Sequence, residues 1–311
     1  MSLAQIASAS VRFPAVLALT LLLAAMPAAQ AVVGGLVDHN SASSPFAGVG
    51  SLTRDGKEVY SAVLIAPQYA LTAAHVVNGT LFAGSLSFNL NMGGNLTFSV
   101  PVAEIFVNPA YRGYKPGPDG TVHGDLAVVR LASPVPEGTP IYPLHDEMVA
   151  PGQEIVFVGY GGGLDMSGTR VPPAASVKRK GSSEIEALLP GSPGSEPGDV
   201  FVFRSWPGMS VTGWRAGLAS GDSGSPAFVR GPDGRLELVG INTFAFGAGA
   251  GQPGSFVAGG GGIVLAQHSE WIQSVLNEVP EPASAKLIGI GVAVAIAMAG
   301  LAARRRRRSA Q

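Results

Sequence analysis

Strand-length apolar runs, broken every few residues by Gly, Pro, Asn or Asp, dominate the chain between residues 32 and 278 and leave room for little but β-structure. Ser61 to Ala66, Tyr69 to Ala73, Leu96 to Val100, Leu126 to Leu131, Ile155 to Tyr160, Val200 to Arg204 and Leu236 to Thr243 are runs of this kind. Such lengths, bounded by turn residues, fit strands and are too short for independent helices. Composition agrees: 43 Gly, 24 Pro and only 13% charged residues suit a turn-rich β protein of sandwich or barrel type. One segment departs from the pattern. Ser269 to Glu278 carries Trp271, Ile272, Val275 and Leu276 at helical spacing, with Ser269 at the N-cap. Residues 161–198 are rich in Gly, Pro and Ser and read as surface loops around one strand, Val177 to Ile185.

The chain has no cysteine, so stability has to come from packed cores, and thiolate metal sites and cysteine nucleophiles are excluded. Its five histidines (His39, His75, His123, His145, His268) lack metal-ligand spacing, which argues against zinc, and no motif for a cofactor appears; a calcium loop stays open on sequence alone. The formal net charge of −1 conceals an acidic middle, because the basic residues crowd the C-terminal end. An acidic body without a basic stripe argues against nucleic acid as a partner.

Both ends read as addresses. Arg12, the apolar stretch Val16 to Ala25 and the small-residue site Ala29-Gln30-Ala31 form a secretory signal over 1–31; an uncleaved anchor is the alternative. At the other end Val279-Pro280-Glu281-Pro282 breaks the chain, Leu287 to Ala303 runs without charge, and Arg304 to Arg308 are consecutive arginines. An uncharged stretch of that length sits at the lower limit for a membrane span, and the arginine block would keep its own side cytoplasmic. The body of the protein would then face outward, in the periplasm or at the cell surface. This tail, residues 279–311, resembles the PEP-CTERM sorting signal of exported bacterial proteins, which implies processing by an exosortase; a plain membrane anchor is the alternative.

Chemistry concentrates in three stretches. Gly221-Asp222-Ser223-Gly224-Ser225-Pro226 sets one serine in a glycine-flanked turn. A serine hydroxyl needs a base to take its proton and an oriented acid to steady that base. Thr72-Ala73-Ala74-His75 supplies the first, and Gly124-Asp125, ahead of Leu126-Ala127-Val128-Val129-Arg130-Leu131, supplies the second; the following apolar strand favours Asp125 over its neighbour Asp119. Each feature alone has a plain structural reading, a strand-end histidine or a turn aspartate. Their order, His then Asp then Ser, is that of chymotrypsin-type proteases and not of subtilisins or α/β-hydrolases.

On these motifs the chain resembles trypsin-like serine endopeptidases from about Val32 to about Leu276. The resemblance implies two six-stranded antiparallel β-barrels, about 32–145 and about 150–278, closed by the C-terminal helix. It implies Ser223 as nucleophile, His75 as general base and acid, Asp125 as its orienting partner, and the N–H groups of Gly221 and Ser223 as oxyanion hole. It also implies a pair between the free amine of Val32 and Asp222. Cleavage by signal peptidase after Ala31 would create that amine directly. Thr243 matches a hydroxyl position beside the catalytic aspartate, and Gly217, Thr243, Ala245 and Gly260 match the substrate pocket. With Gly217 at its base and Ala245 and Gly260 on its walls, the pocket is expected to be open and uncharged, with cleavage after an apolar residue. Where relatives often carry cysteines, this chain has Tyr60, Val76 and Ala219. Two other functions stay open on sequence alone: a protease homologue that only binds a surface partner, and an esterase with the same triad.

Overall fold

The computed structural model describes residues 35–278, apart from 42, 93, 114–122, 165–169, 191–196, 206–215 and 247–258. In chain order the strands are β1 Leu36–Asp38, β2 Val49–Arg54, β3 Glu58–Ala66, β4 Tyr69–Thr72, β5 Leu86–Met92, β6 Asn95–Val107, β7 Ala127–Leu131, β8 Glu154–Gly159, β9 Gly163–Leu164, β10 Arg170–Val171, β11 Lys178–Pro190, β12 Pro197–Arg204, β13 Pro226–Arg230, β14 Leu236–Phe246 and β15 Gly259–Val264. A one-turn helix α1, Ala74–Val77, follows β4, and α2 spans Ser269–Asn277.

Strands β2-β3-β4-β7-β6-β5 close into one antiparallel barrel. Strands β8, β11, β12, β15, β14 and β13 close into the second, because β11 pairs with β12 along one half and with β8 along the other. The fold is thus all-β, with two six-stranded antiparallel barrels of chymotrypsin-like form and a short C-terminal helix, as the sequence implies. Residues 132–153 connect the barrels, tied to β14 where the His145 N–H donates to the Leu238 carbonyl. Strand β1 lies outside the second barrel, with Val37 opposite Arg179 of β11.

Closure removes strand edges, and it lets each barrel bury its own apolar interior. In the second barrel Ile155, Phe157, Phe201, Phe203, Ala227 and Val239 form the core, with the Phe157 and Phe203 rings stacked at 5.1 Å. Each fully buried side chain of this size contributes roughly 1.5–3 kcal/mol, which is how a chain without disulfides holds together.

Helix α2 forms over the expected residues. Ser269 is not its N-cap, however: it is already helical in φ and ψ, because a 3₁₀ turn at Leu265–His268 runs straight into the helix. Its hydroxyl donates back to the Ala266 carbonyl instead. The proposed signal (1–31), Val32 and the proposed membrane segment (287–303) lie outside the described residues. Among the described residues no helix is long and apolar enough to cross a membrane.

Candidate active site

Strand β4 delivers the first functional side chain. It ends at Thr72, and Ala73 in extended conformation turns the chain into α1, where His75 sits. Asp125, fully buried just ahead of β7, grips His75 twice. The His75 backbone N–H donates to Asp125 Oδ1 at 2.8 Å, and His75 Nδ1 lies 2.7 Å from Oδ2. A buried carboxylate facing Nδ1 favours the tautomer with the proton on Nδ1, so Nε2 is left as the basic nitrogen.

Ser223 is half-buried in the turn that leads into β13. Gly221 has φ +95° and Gly224 φ +84°, conformations that side-chain-bearing residues rarely adopt. Gly224 has a second reason to be glycine: a Cβ there would meet Thr72 Oγ1 at 2.1 Å and the Ser61 carbonyl at 2.2 Å. The serine turn therefore lies directly on β3 and on β4, the strand that leads to His75.

Accounting for every backbone polar group of this turn is informative. The Ser220 carbonyl accepts from Gly162 N–H, that of Gly221 from Ser61 Oγ, that of Asp222 from Ser225 N–H, and that of Ser223 from Ser61 N–H. The Asp222 N–H donates to Ala219 O and the Gly224 N–H to Asn242 O. Two N–H groups remain, those of Gly221 and Ser223, and neither has a hydrogen bond among the described residues. Neither N–H is committed to the turn's own hydrogen bonds, so both are available to an acceptor oxygen. Two adjacent amide donors can stabilise a developing oxyanion.

Asp222 anchors the turn from below. Its carboxylate is fully buried in the space left by the missing side chains of Gly159 and Gly161. It accepts from Gly161 N–H and Ala219 N–H, each at 2.9 Å. Burial pushes its pKa up to about 7, against the lowering effect of those two donors and of the Arg179 guanidinium. Arg179 is itself buried; its Nη1 donates to the Gly161 carbonyl, so Gly161, through its N–H and its C=O, stands between the two side chains.

The residues expected around the substrate pocket differ from the expectation in two respects. Ala245 and Gly260 do lie opposite each other on β14 and β15. The space over Gly260 is not open, because Leu218 Cδ1 stands 2.7 Å from where a Cβ would be, and Leu218 itself is buried beside the buried Gly217. The Thr243 hydroxyl is buried without a partner among the described residues, so the expected bond to Asp125 is not formed. Sequence reasoning also missed Arg54. Its guanidinium sits over the Tyr60 ring at 5.6 Å and donates through Nη2 to the Val76 carbonyl, joining the two positions where cysteines were expected by resemblance. The signal available in the sequence was only an arginine in a strand opposite Glu58.

Two closed six-stranded antiparallel barrels are the chymotrypsin-type architecture. The chain's own sequence says the same: the family model described as Trypsin matches residues 33–259, more than half of the chain, and the protein belongs to that family of serine peptidases.

Proposed function

We propose that this protein is an exported, envelope-anchored serine endopeptidase that cleaves peptide bonds through a Ser223 acyl-enzyme. The observation that carries the reading is the double grip of Asp125 on His75, combined with the Gly221 and Ser223 N–H groups, which have no hydrogen bond among the described residues. In the mechanism Ser223 Oγ attacks the scissile carbonyl while His75 Nε2 takes its proton. The imidazolium is held by Asp125, which stays ionised. The carbonyl oxygen, now negative, accepts from the Gly221 and Ser223 N–H groups. His75 then gives its proton to the leaving amine, and a water molecule activated by the same nitrogen releases the acid.

Activation follows from the N-terminus. Signal peptidase cutting after Ala31 leaves Val32 with a free amine, four residues before β1, whose Val37 pairs with Arg179 beside Asp222. A fully buried carboxylate raised to about 7 is short of positive charge, and an ammonium placed there would restore it. No separate zymogen cut is then needed. Beyond the catalytic domain, the Pro-Glu-Pro tail, the apolar segment 287–303 and Arg304 to Arg308 hold the protein at the membrane with the arginines inside, until an exosortase-type enzyme processes the tail.

The substrate is a protein or peptide cut after an apolar residue. Gly217 supplies no charge for Lys or Arg, and Leu218 over Gly260 makes the wall apolar. The test is to sequence the N-terminus of the purified exported protein and to profile its cleavage of a peptide library. Peptide cleavage by material starting at Val32, with apolar residues before the cut, supports the reading. Active material with another start removes the activation step, cleavage mainly after Lys or Arg removes the pocket assignment, and hydrolysis of esters but not peptides removes the endopeptidase.

A further inference from the structure

Ser61, in β3 of the first barrel, makes four hydrogen bonds at the junction of the two barrels. It is fully buried. Its backbone N–H donates to the Ser223 carbonyl at 3.0 Å, and its carbonyl accepts from Thr72 Oγ1 at 2.9 Å. Its hydroxyl lies 3.0 Å from the Gly221 carbonyl and 3.0 Å from the Tyr160 N. A hydroxyl has one hydrogen to give. Tyr160 N–H can only donate, so it occupies a lone pair of Oγ, and the Ser61 proton must go to the Gly221 carbonyl. The direction of the bond is thus fixed by its neighbours.

A peptide unit is planar, and holding one carbonyl sets the plane and with it the torsions on either side. The Gly221 N–H belongs to the Ser220–Gly221 peptide and the Ser223 N–H to the Asp222–Ser223 peptide, and Ser61 holds the carbonyl of the Gly221–Asp222 peptide that joins the two. Gly221, with no Cβ and φ +95°, is less restrained by its own sterics than the Asp222 that follows it. Without a bond on its carbonyl, the Gly221–Asp222 peptide keeps only the Asp222 N–H bond to Ala219 O. The strand leading to His75 is tied to the same residue through Thr72.

We infer that Ser61 is a positioning residue of the oxyanion site, its hydroxyl fixing the Gly221 and Ser223 N–H groups relative to each other by holding, from the opposite barrel, the Gly221–Asp222 peptide that joins their planes. This inference rests on the peptidase reading above and adds to it a device supplied by one side chain of this chain. It touches neither substrate nor reacting atoms.

The experiment uses the purified exported protein and its Ser61→Ala variant, with Ser61→Cys as the second variant, which keeps the side-chain volume and weakens the donor. Three readouts are taken: the acylation rate with p-nitrophenyl acetate, its KM, and inhibition by phenylboronic acid, which forms a tetrahedral adduct on the serine. Removing a whole oxyanion donor costs about 10²–10³ in rate, so losing its positioner is expected to lower acylation about 10- to 100-fold. Boronate affinity should fall by a similar factor, with KM within about twofold and the cysteine variant in between. Folded variants that acylate at the wild-type rate overturn the inference, as does slower acylation with unchanged boronate affinity. If Ser61→Ala does not fold, the cysteine variant decides on the same criteria. A wild-type protein that p-nitrophenyl acetate does not acylate overturns the peptidase reading, and this inference with it.

Discussion

Replacing Asp125 by Asn tests the His75 grip in a way the geometry allows to be worked through. The carboxylate receives two donors, the His75 backbone N–H on Oδ1 and Nδ1–H on Oδ2. An amide has only one oxygen. If that oxygen faces the backbone N–H, the NH₂ faces Nδ1, forces the lone pair there and puts the ring proton on Nε2, which then cannot accept the serine proton. If the amide turns over, two donors face each other in a fully buried site, at a cost of about 1–3 kcal/mol. The charged hydrogen bond that steadies the imidazolium is lost in either case, worth about another 1.5–3 kcal/mol. Together these give roughly 3–6 kcal/mol, or about 10²–10⁴ in acylation rate at neutral pH. Pre-steady-state acylation by p-nitrophenyl acetate reads the rate, and thermal melting checks that the variant is folded. A folded D125N protein within tenfold of wild type would refute the assignment of His75 and Asp125 as one working pair.

Two pH dependences follow from buried groups. Asp222 keeps its proton up to about pH 7 when folded and releases it near 4 when unfolded, so stability falls as pH rises from about 4 to 7. That difference amounts to on the order of 4 kcal/mol in the chain that still carries residues 1–31. Urea unfolding at pH 4 to 8 should show a smaller fall once Val32 is free, and equal falls in the two forms would count against the Val32–Asp222 pair. Lys178 is fully buried, and burial lowers its pKa to about 7 against the opposing pull of Asp38. The unfolded chain holds that proton up to about 10.5, so this group makes stability rise between pH 7 and 10.5. Lys178→Met should flatten that rise in urea unfolding at pH 7 to 10; an unchanged slope would show that another group causes it.

Much of the architecture is legible in the sequence where apolar runs are continuous, as in β7 and β8, and the serine turn is legible because only glycine suits its flanks. Other elements resist for physical reasons. Strand β5 alternates apolar residues with Asn, and its buried Asn89 is satisfied by Ser51 and Thr53 of the neighbouring strand β2, partners that local pattern cannot reveal. Strand β11 runs to Pro190 through a stretch whose Gly, Pro and Ser read as loop; its second half exists because β12 pairs with it. Strand β15 opens with four glycines, and the rings of Phe246 and Phe244 fill the space beside Gly259 and Gly261. The site shows the same division. Residue types and order point to His75, Asp125 and Ser223, whereas the Ser61 and Arg54 contacts depend on which strands meet. Thr243 illustrates the converse, a hydroxyl in a matching position that finds no partner.

The central claim is an activated serine at position 223, and fluorophosphonate labelling of the purified exported protein beside its Ser223→Ala variant tests it most directly. The account predicts one phosphonylated residue, Ser223, in the wild type, and no labelling of the folded variant. A folded, Val32-initiated wild type that does not label, or a Ser223→Ala variant that labels as fast, would contradict it.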